Sequence, residues 1–410
     1  MMPANGRSSQ KHLLSEFTAD VAVVGGCGHV GLPLAIAFAH RGAQVVIYDV
    51  NRAAVGSVNA GVMPFAEDGA AELLAGVVGR NLRASADPHV VSTAESVVLV
   101  IGTPVDEHLN PDPQAVPDAV AELVPYLRTG QLIVLRSTLF PGVTAMVERR
   151  LAAEELSVDV AFCPERIAEG KAMTELFDLP QIVAARQPAV AQRAKKLFGH
   201  LTDQMVDLAP EEAELAKLFT NAWRYLKFAA ANQLYKIAND FDLDYERIRG
   251  ALAFDYPRAA DLPSAGFAAG PCLLKDTMQL AAFNRNDFLL GHASMTINEG
   301  LPLYVVDRMR SRFDLSESTV GILGMAFKGG SDDIRSSLSY KLKRILRFRA
   351  RRVVCTDPYV TVDDSLLPLD EVVDQSDLLV IGAPHRAYAE LVTDKPVVDI
   401  WGIRGGGVRV

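Results

Sequence analysis

The sequence lacks long apolar runs and has few cysteines. No stretch approaches the ~20 apolar residues that a membrane helix needs. Residues 1–18 lack the hydrophobic core of a signal peptide, so we expect them to form a disordered tail. The four cysteines are scattered and include no C-x-x-C pair, which argues against a disulfide framework or a zinc site. These absences predict a cytoplasmic protein with reduced thiols and no metal.

The sequence also has no excess of positively charged residues. The formal net charge is −9 and the pI is near 5.5, which argues against nucleic acid or an anionic membrane as a partner. Contents of 49% hydrophobic and 22% charged residues are those of an ordinary globular protein. Because 410 residues are too many for one compact core, we expect two or three domains.

The first predicted unit, residues 19–205, opens with the pattern of a dinucleotide-binding domain. A β-branched run, Val21-Ala22-Val23-Val24, leads directly into Gly26-x-Gly28-x-x-Gly31, and a helix is predicted from Leu32. Glycines allow the tight turn that places a pyrophosphate at the helix N-terminus, where free N–H groups favour anions. The predicted cofactor contacts in this turn are Gly26, Gly28, His29, Val30 and Gly31.

An acid, Asp49, follows the second predicted strand, which runs from Gln44 to Tyr48. Its carboxylate would accept hydrogen bonds from the adenosine ribose hydroxyls and repel a 2′-phosphate, so NAD is favoured over NADP. Arg52 leaves that preference open, because it suits either a cofactor contact, including a 2′-phosphate, or a solvated loop arginine.

Two further predicted strands, Val97–Ile101 and Leu132–Leu135, end in polar turns that contain Thr103 and Thr138. A doubly wound sheet places its ligand contacts after the carboxyl ends of its strands, so both threonines are candidate cofactor contacts. The alternative for each is ordinary loop chemistry. Residues 160–162 are predicted to form the last strand of this unit.

Residues 211–239 are predicted to form one long helix, because Pro210 suits a helix start and no glycine or proline follows until Gly250. About 29 residues at ~1.5 Å each would give a rod of about 44 Å, long enough to join two domains. Lys217 and Asn221 are four apart and therefore share a face. They form either a solvated stripe or a buried pair that requires a polar partner.

A glycine-rich loop, Gly266–Asp276, contains the candidate nucleophile Cys272. Its glycines and Pro271 indicate a tight turn in which the backbone can approach a ligand closely. The ammonium of Lys275 would favour the thiolate, the form of cysteine that attacks a carbonyl carbon. The alternative is that Cys272 is a small buried hydrophobe.

Residues 313–410 are predicted to form a second, smaller parallel α/β unit. This unit lacks G-x-G-x-x-G, so no second dinucleotide is assigned to it. Lys328 and Arg335 follow its first strand, where they would meet a ligand lying between the two units. The alternative for Arg335 is an ion pair with Asp332 or Asp333.

Five motifs in this order resemble those of the UDP-glucose/GDP-mannose dehydrogenase family, over nearly the whole chain after residue 19. They are Gly26-x-Gly28-x-x-Gly31, Cys163-Pro164-Glu165-Arg166-x-Ala168-Glu169-Gly170, Glu214-Leu215-Ala216-Lys217-x5-Trp223-Arg224, Gly270-Pro271-Cys272-x-x-Lys275-Asp276 and Gly324-x-Ala326-Phe327-Lys328-x4-Asp333-x-Arg335-x-Ser337. The resemblance implies an α/β fold with two Rossmann-like parallel-sheet domains, joined by a long central helix and a helical dimerisation region. The implied domains are 19–205 for NAD, 206–312 for the central helix, dimerisation region and cysteine loop, and 313–410 for the UDP-sugar, with a homodimer formed about the helix.

The resemblance also implies a reaction, the NAD-dependent four-electron oxidation of the C6 alcohol of an NDP-sugar to a uronate. Cys272 would capture the intermediate aldehyde as a thiohemiacetal, which a second hydride transfer converts into a thioester for hydrolysis. UDP-glucose and a UDP-N-acetylhexosamine are the candidate substrates. The implied catalytic residues are Cys272, Lys217, Asn221, Asp276, Glu165 and Thr138.

Each of the other catalytic residues takes a role from the resemblance. Lys217 and Asn221 would stabilise the oxyanions that form at C6. Asp276, acting through a water held with Thr138, would be the base for thioester hydrolysis, with Glu165 close by as a second carboxylate. The base of the first step is either Lys217 or a water bound to Asp276.

The remaining contacts also follow from the resemblance. The implied cofactor contacts beyond the first turn are Asp49, Arg52, Thr103, Thr138, Lys275 and Arg335. The implied substrate contacts are Glu165, Arg166, Lys217, Asn221, Arg258, Phe267, Gly270, Phe327 and Lys328. Arg258 matches the family's sugar-binding arginine with a spacing that is shifted by a couple of residues.

Some positions depart from the family's pattern and leave the sugar open. Pro271 stands where a serine or histidine is common, and Arg136 stands where many members carry an acid, which would change the pocket floor. Lys275-Asp276 favours the UDP-glucose branch, whereas Cys163-Pro164-Glu165-Arg166 favours the N-acetylhexosamine branches. Two other functions compete: a two-electron NAD-dependent hydroxyacid dehydrogenase and a non-catalytic nucleotide-sugar-binding protein.

Overall fold

The computed structural model of the protein describes residues 17–103, 105–106 and 108–405. It consists of two sheets covered by helices and a helical region between them. The predicted disordered tail lies outside the described residues except at its end, where the Thr18 amide donates to the Thr93 carbonyl at 2.9 Å. Within the described chain, every helix is too short or too polar to traverse a lipid bilayer.

The first sheet contains eight strands within the described residues. They are β1 Ala19–Val24, β2 Val45–Tyr48, β3 Leu82–Ser85, β4 Ala94–Leu99, β5 Leu132–Leu135, β6 Asp159–Phe162, β7 Gln181–Ala184 and β8 Met205–Leu208. Their order is β3-β2-β1-β4-β5-β6-β7-β8. The first six strands have the order of a doubly wound dinucleotide-binding sheet.

The sheet is mixed, because β7 runs antiparallel to β6 and pairs Phe162 with Ala184. The predicted parallel arrangement therefore holds for β1 to β6, and the prediction that residues 160–162 form the last strand is wrong. Between β6 and β7 the chain forms a loop and a short helix, and the loop is held because Glu165 accepts from the Ile167 amide and Glu67 accepts from the Gly170 amide.

Helices cover both faces of this sheet. They are α1 Gly31–His40, α2 Arg52–Asn59, α3 Ala70–Val77, α4 Ala115–Leu123, α5 Val143–Ala153, α6 Ala172–Asp178 and α7 Pro188–Phe198, with 3-10 turns at Pro88–Thr93 and Val124–Tyr126. Residues of α1, α3, α6 and α7 form one apolar layer, and those of α4 and α5 form the other. Strand β1 alternates between the layers, with Val21 and Val23 in the first and Ala22 and Val24 in the second.

The middle region is helical and fastened at several points. It contains α8 Pro210–Asp240, α9 Tyr245–Ala253, α10 Leu273–Phe283 and α11 Leu289–Arg312. Helix α8 has 31 residues, so the predicted long helix is confirmed. Its Glu214 is fully buried and accepts from the Gly142 and Thr144 amides, which ties α8 to the start of α5. Farther along, Asn232 exchanges hydrogen bonds with the backbone of Gly266 at 2.9 and 3.0 Å.

The second sheet contains four strands within the described part of the chain, and all of them are parallel, as predicted for this unit. They are β9 Thr319–Leu323, β10 Arg352–Thr356, β11 Leu378–Ile381 and β12 Val397–Val398, in the order β10-β9-β11-β12. The accompanying helices are α12 Leu338–Arg347, α13 Leu369–Gln375 and α14 Arg386–Ala389, preceded by a 3-10 turn at Leu315–Glu317. The predicted domain limits stay predictions; β8 crosses the one at residue 205.

Candidate active site

A cavity of about 210 Å³ lies between α8, the cysteine loop and the second sheet. It brings together the predicted residues Lys217, Asn221, Phe267, Gly270, Cys272, Phe327 and Lys328. The loop after β6 adds Ile167, Ala168 and Glu169, and the end of the second sheet adds Trp401. The predicted cleft between the two units is thus formed largely by residues far apart in the sequence.

Two glycines let the cysteine loop contact aromatic rings from the second unit. Gly266 has φ +150°, and a Cβ there would lie 2.2 Å from the Trp401 ring. Gly270 has φ +102°, and a Cβ there would lie 2.6 Å from the Phe327 ring. Residues other than glycine rarely adopt either backbone conformation, and a side chain would have no room at either position. The loop geometry therefore requires glycine at both positions.

Cys272 is exposed to solvent and stands at the N-cap of α10. Atoms of the cleft wall still restrict its hydration, which raises the pKa of the thiol, and the negative charge of Asp276 raises it further. Lys275, Lys217 and Arg335 act in the opposite direction but do not reverse the shift. The charge of Lys275 thus favours the thiolate, as expected, but the restricted hydration of the thiol has the larger effect on its pKa.

Asp276 is fully buried directly behind Cys272. Its Oδ2 accepts from Asn221 Nδ2 at 2.5 Å and, at a long 3.4 Å, from Thr138 Oγ1. Its Oδ1 lies 3.2 Å from Lys275 Nζ. The predicted association of Asp276 with Thr138 is present as a direct contact.

Lys217 is buried on the same face of α8 as Asn221. Burial lowers the pKa of its ammonium, although the charges of Asp276 and Cys272 favour the protonated form. Lys217 makes no hydrogen bond or ion pair with another described residue. A buried amine without a partner is energetically unfavourable, so the cavity at this point suits a ligand that carries hydrogen-bonding oxygen atoms. The alternative of a solvated stripe is wrong.

Glu165 is held by structural contacts on both carboxylate oxygens. Its Oε2 accepts from Arg136 Nη2 at 2.5 Å and from Nε at 3.0 Å. Its Oε1 accepts from the amides of Arg166 and Ile167. A carboxylate with four such donors has little remaining capacity to act as a base. The geometry does not support the predicted catalytic and substrate-binding roles of Glu165.

Arg136 is buried and does not line the cavity, which corrects the expectation that it alters the pocket floor. Its guanidinium is 2% exposed, stacks 4.7 Å from the Phe198 ring centroid and donates to the Cys163 carbonyl and to Gln181. Together with Glu165 it holds the loop after β6. Arg136 therefore acts on the pocket through the backbone of that loop.

Two other predicted substrate contacts do not line the cavity. The Arg166 guanidinium donates to the Pro180 carbonyl. Arg258 is exposed, stacks on the Tyr256 ring at 5.3 Å and donates to its hydroxyl at 3.0 Å. Neither arginine is placed by this chain to contact a ligand in the cavity. Both predictions lack support for this reason.

The two cations predicted after β9 have different surroundings. Lys328 lines the cavity and donates from Nζ to the Glu169 carbonyl, and burial lowers the pKa of its ammonium. Arg335 forms a two-point ion pair with Asp333, with Nη2 and Nε at 2.5 and 2.8 Å from Oδ2. The ion pair with Asp333, which was the alternative to a cofactor contact for Arg335, is therefore present. Its contact with the cofactor stays a prediction.

The first glycine turn fits a dinucleotide. A Cβ at Gly26 would lie 2.8 Å from the Ile47 side chain, and one at Gly31 would lie 2.6 Å from the Gly25 carbonyl oxygen. A Cβ at Gly28 would meet nothing closer than 3.9 Å, which leaves open space at the turn that precedes α1. Free amides beside open space at a helix N-terminus are the arrangement that binds a pyrophosphate.

Asp49 also stands where the prediction requires it, at the end of β2. Its Oδ2 accepts from the Cys27 amide and its Oδ1 from the Asn51 amide, both at 2.9 Å. Its carboxylate is thereby fastened to the glycine turn and stays partly exposed. Arg52, the first residue of α2, is exposed, and both of its alternatives remain open.

Thr103 and Lys275 join the first unit to α10. The Lys275 ammonium donates to the Thr103 carbonyl and hydroxyl, both at 3.0 Å. Lys275 also contacts Asp276, so it links the turn after β4 to the carboxylate behind the cysteine. Their predicted contact with the cofactor stays a prediction.

His29 lies at the border between the two units. Its ring stacks on Phe65 at 4.0 Å, and its Nδ1 lies 3.7 Å from Glu169. One ligand atom each of His29, Glu169 and Asp333 falls within 4.8 Å of the others, a spacing that suits a metal ion. Arg335 already supplies the positive charge there, because it pairs with Asp333 and lies 4.0 Å from Glu169. We therefore assign no metal to this group.

Similarity to known proteins follows the same division of the chain. The UDP-glucose/GDP-mannose dehydrogenase family matches with its NAD binding domain over residues 19–202, its central domain over residues 211–299 and its UDP binding domain over residues 321–405. The chain belongs to this family. It is accordingly an NAD-dependent nucleotide-sugar dehydrogenase with a domain for the UDP-sugar.

Individual relatives cover nearly the whole length. A UDP-N-acetyl-D-mannosamine dehydrogenase of Escherichia coli K12 is 28% identical over 94% of this chain and 99% of its own. The enzyme of that name from Pyrococcus horikoshii is 30% identical over 90% of each chain. A solved UDP-glucose dehydrogenase from Pyrobaculum islandicum superposes with a TM-score of 0.86 at 27% identity, covering 95% of this chain and 96% of its own.

The sequence did not lead us to predict some of the residues that line the dehydrogenase cavity. Arg224 and Phe228 line it and follow Lys217 by seven and eleven residues, which is about two and three helical turns. Helical periodicity from Lys217 would therefore have found both. Trp401 follows β12, the last strand of the second sheet. The rule used for the first sheet, that ligand contacts follow the carboxyl ends of strands, would have predicted a contact there.

Proposed function

We propose that this dehydrogenase oxidises UDP-N-acetyl-D-mannosamine at C6 to the corresponding uronate. The observation that carries the site assignment is the position of Lys217 beside Asn221 in the cavity that also contains Cys272, where Lys217 has no hydrogen bond or ion pair with another described residue. The choice of sugar is supported by the Escherichia coli and Pyrococcus horikoshii relatives, whose names give this substrate. UDP-glucose is the second candidate, because the Pyrobaculum islandicum structure is that of a UDP-glucose dehydrogenase.

We assign the cofactor to the glycine turn, with Asp49 on the adenosine ribose. NAD held there would supply the hydride acceptor that each of the two oxidation steps at C6 requires. Lys217 takes the proton of the C6 alcohol in the first step, because burial lowers the pKa of this amine and eases its use as a base. Asn221 and the protonated Lys217 then stabilise the oxygen at C6.

The second half of the reaction takes place on Cys272. Its sulfur adds to the aldehyde carbon and the thiol proton passes to the carbonyl oxygen, which gives a thiohemiacetal. Loss of the second hydride from the carbon, together with the hydroxyl proton, leaves a thioester. Asp276 takes a proton from the water that attacks the thioester, which releases the carboxylate and restores the thiol. The buried position of Asp276 beside Asn221 and Thr138 supports this role.

We further propose that the protein is a homodimer formed about α8. An exposed apolar stripe on this helix supports that assembly. Its members Phe219, Trp223, Leu234, Ile237 and Phe241 are 42–75% exposed and fall within about 60° of one another around the axis. An exposed apolar surface of this kind marks an interface. Sedimentation should show a dimer in the wild type and a monomer for Trp223→Glu.

The cytoplasm is the compartment that we propose. The four cysteines are unpaired, with Cys27, Cys163 and Cys355 buried and Cys272 exposed. A reducing compartment preserves an exposed thiol that must react. Fractionation of cells that express the protein tests this assignment.

A panel of UDP- and GDP-sugars tests the reaction. We expect about two NADH per UDP-N-acetylmannosamine consumed and a product whose mass and charge fit the uronate. One NADH per sugar would instead support a two-electron dehydrogenase. Binding without turnover across the panel would support a non-catalytic nucleotide-sugar-binding protein.

A further inference from the structure

The second unit contains a fully buried histidine that has no part in the proposed chemistry. His385 follows β11, and its side chain lies between the rings of Tyr359 and Tyr388, with centroids at 5.1 and 5.6 Å. Its Nδ1 receives the Gly330 amide at 3.1 Å, and its Nε2 lies 3.0 Å from Asp357 Oδ2. Both ring nitrogens are therefore used in specific contacts.

These contacts fix the state of the imidazole. Because the Gly330 amide is a donor, Nδ1 must keep its lone pair and accept. The proton then resides on Nε2, which donates to the carboxylate of Asp357. The contact with Gly330 thus requires the tautomer whose proton is on Nε2.

Asp357 continues this arrangement toward the preceding turn. Its Oδ2 also accepts from the amides of Met325 at 2.7 Å and Ala326 at 2.9 Å. Asp357 and His385 together thus hold residues 325 and 326 on one side and residue 330 on the other. The segment between these anchors contains Phe327 and Lys328, both of which line the cavity.

The segment also passes very close to the chain that carries His385. A Cβ at Gly329 would lie 2.4 Å from the Pro384 carbonyl oxygen. Movement of His385 would therefore be transmitted to residues 328–330 by contact as well as by the hydrogen bond. Phe327 in turn packs on Gly270 in the cysteine loop.

We propose that His385 is a positioning residue for the nucleotide sugar. Through Gly330 directly, and through Asp357 at Met325 and Ala326, it sets the placement of Phe327 and Lys328 against the substrate. The inference rests on the proposed assignment of Phe327 and Lys328 to the substrate. It predicts that His385 affects substrate affinity and leaves cofactor affinity unchanged.

Three substitutions separate the two hydrogen bonds. In His385→Asn, the amide oxygen can replace Nδ1 as acceptor for Gly330. In His385→Gln, the longer side chain reaches Asp357 instead, and His385→Ala removes both contacts. We expect the KM for UDP-N-acetylmannosamine to rise about tenfold in the alanine and glutamine variants and to stay within about threefold in the asparagine variant. The KM for NAD should not change in any variant.

Ser376→Ala is the matched control. Ser376 is buried in the same unit, and its hydroxyl donates to the Val372 carbonyl, far in sequence from residues 325–330. It should lower the melting temperature and leave both KM values unchanged. If the His385 variants also lower the melting temperature with unchanged KM for the sugar, His385 is only structural and the inference is wrong.

Lys328→Ala distinguishes this inference from the proposed function. A raised KM for the sugar in Lys328→Ala with no change in the His385 variants would overturn only the positioning role. An unchanged KM in Lys328→Ala would overturn the assignment of Lys328 to the substrate. Calorimetric titration with UDP on the same variants measures binding without turnover and must give the same ranking.

Discussion

Two acids occupy equivalent positions in the two sheets, yet their surroundings differ. Asp49 follows β2, which pairs with β1, and Asp357 follows β10, which pairs with β9 in the same way. Asp49 binds the Cys27 amide of the glycine turn and remains partly exposed. The side chain of Asp357 is fully buried against His385. Both acids thus accept backbone amides, but Asp49 stays partly exposed at the glycine turn, whereas Asp357 is buried by the histidine.

This difference explains why only the first unit is assigned a dinucleotide. The turn after β1 leaves open space at Gly28. The glycines that directly follow β1 and β9 are both crowded, because a Cβ at Gly25 would lie 2.1 Å from the Val100 carbonyl oxygen and one at Gly324 would lie 2.7 Å from Ala383. The two turns differ in the residues that follow, because in the second unit the amides of Met325 and Ala326 both donate to Asp357.

The largest expected effect belongs to the loop that lies between the two units. Cys272→Ala should reduce uronate formation by at least about 1,000-fold, because the sulfur that carries the intermediate is removed. Mass spectrometry of the product measures uronate formation. Calorimetric binding of NAD and of UDP serves as the control that the first and the second unit are intact. Full activity in this variant would contradict the thioester mechanism.

Paired substitutions of the two acids test the comparison directly. Asp49→Asn should raise the KM for NAD about tenfold and leave the KM for the sugar unchanged, because its charge faces the cofactor. Asp357→Asn should raise the KM for the sugar instead, because it holds residues 325 and 326. Steady-state kinetics on both variants provides the measurement. If the two variants alter the same KM, the acids do not have separate roles.

A smaller effect is expected from pH at the junction of the units. The pKa of Cys272 is raised above its usual 9.0, so the thiolate fraction increases as the pH rises toward that value. The rate of alkylation by iodoacetamide should therefore climb close to tenfold between about pH 7 and about pH 8. Mass spectrometry locates the label, and the other three cysteines serve as buried controls. A rate that is already constant above pH 7 would show that the thiolate predominates.

The smallest effect is expected at the edge of the cofactor cleft. Arg52 is exposed and begins α2. If it is a solvated arginine, Arg52→Gln should change the KM for NAD by less than about twofold. A larger increase, or a parallel loss of activity with NADP, would assign Arg52 to the cofactor. Kinetics with both cofactors decides between the two.

Features that depend on neighbouring residues could be predicted from the sequence. The glycine turn, Asp49 and the long helix follow from local spacing, since backbone conformation and helical periodicity act over a few residues. The placement of Lys217 beside Asn221 followed in the same way. These predictions needed no knowledge of distant contacts.

Features that depend on distant contacts could not be predicted in this way. Glu165 looked like a free acid because its partner Arg136 is 29 residues earlier. The direction of the Cys272 pKa shift depends on burial by the cleft wall, which outweighs the nearby Lys275. Strand β7 was missed because four residues carry little periodic signal, and its antiparallel direction depends on its pairing with β6.

The contact between Gly266 and the Trp401 ring has a practical consequence. The indole lies against the cysteine loop and is fixed by a hydrogen bond from its Nε1 to the Ile381 carbonyl at 3.2 Å. The last described residues of the chain thus reach the wall of the catalytic cavity. For purification, we expect an N-terminal affinity tag to disturb the cavity less than a tag fused after Trp401, because the Trp401 side chain lines the cavity.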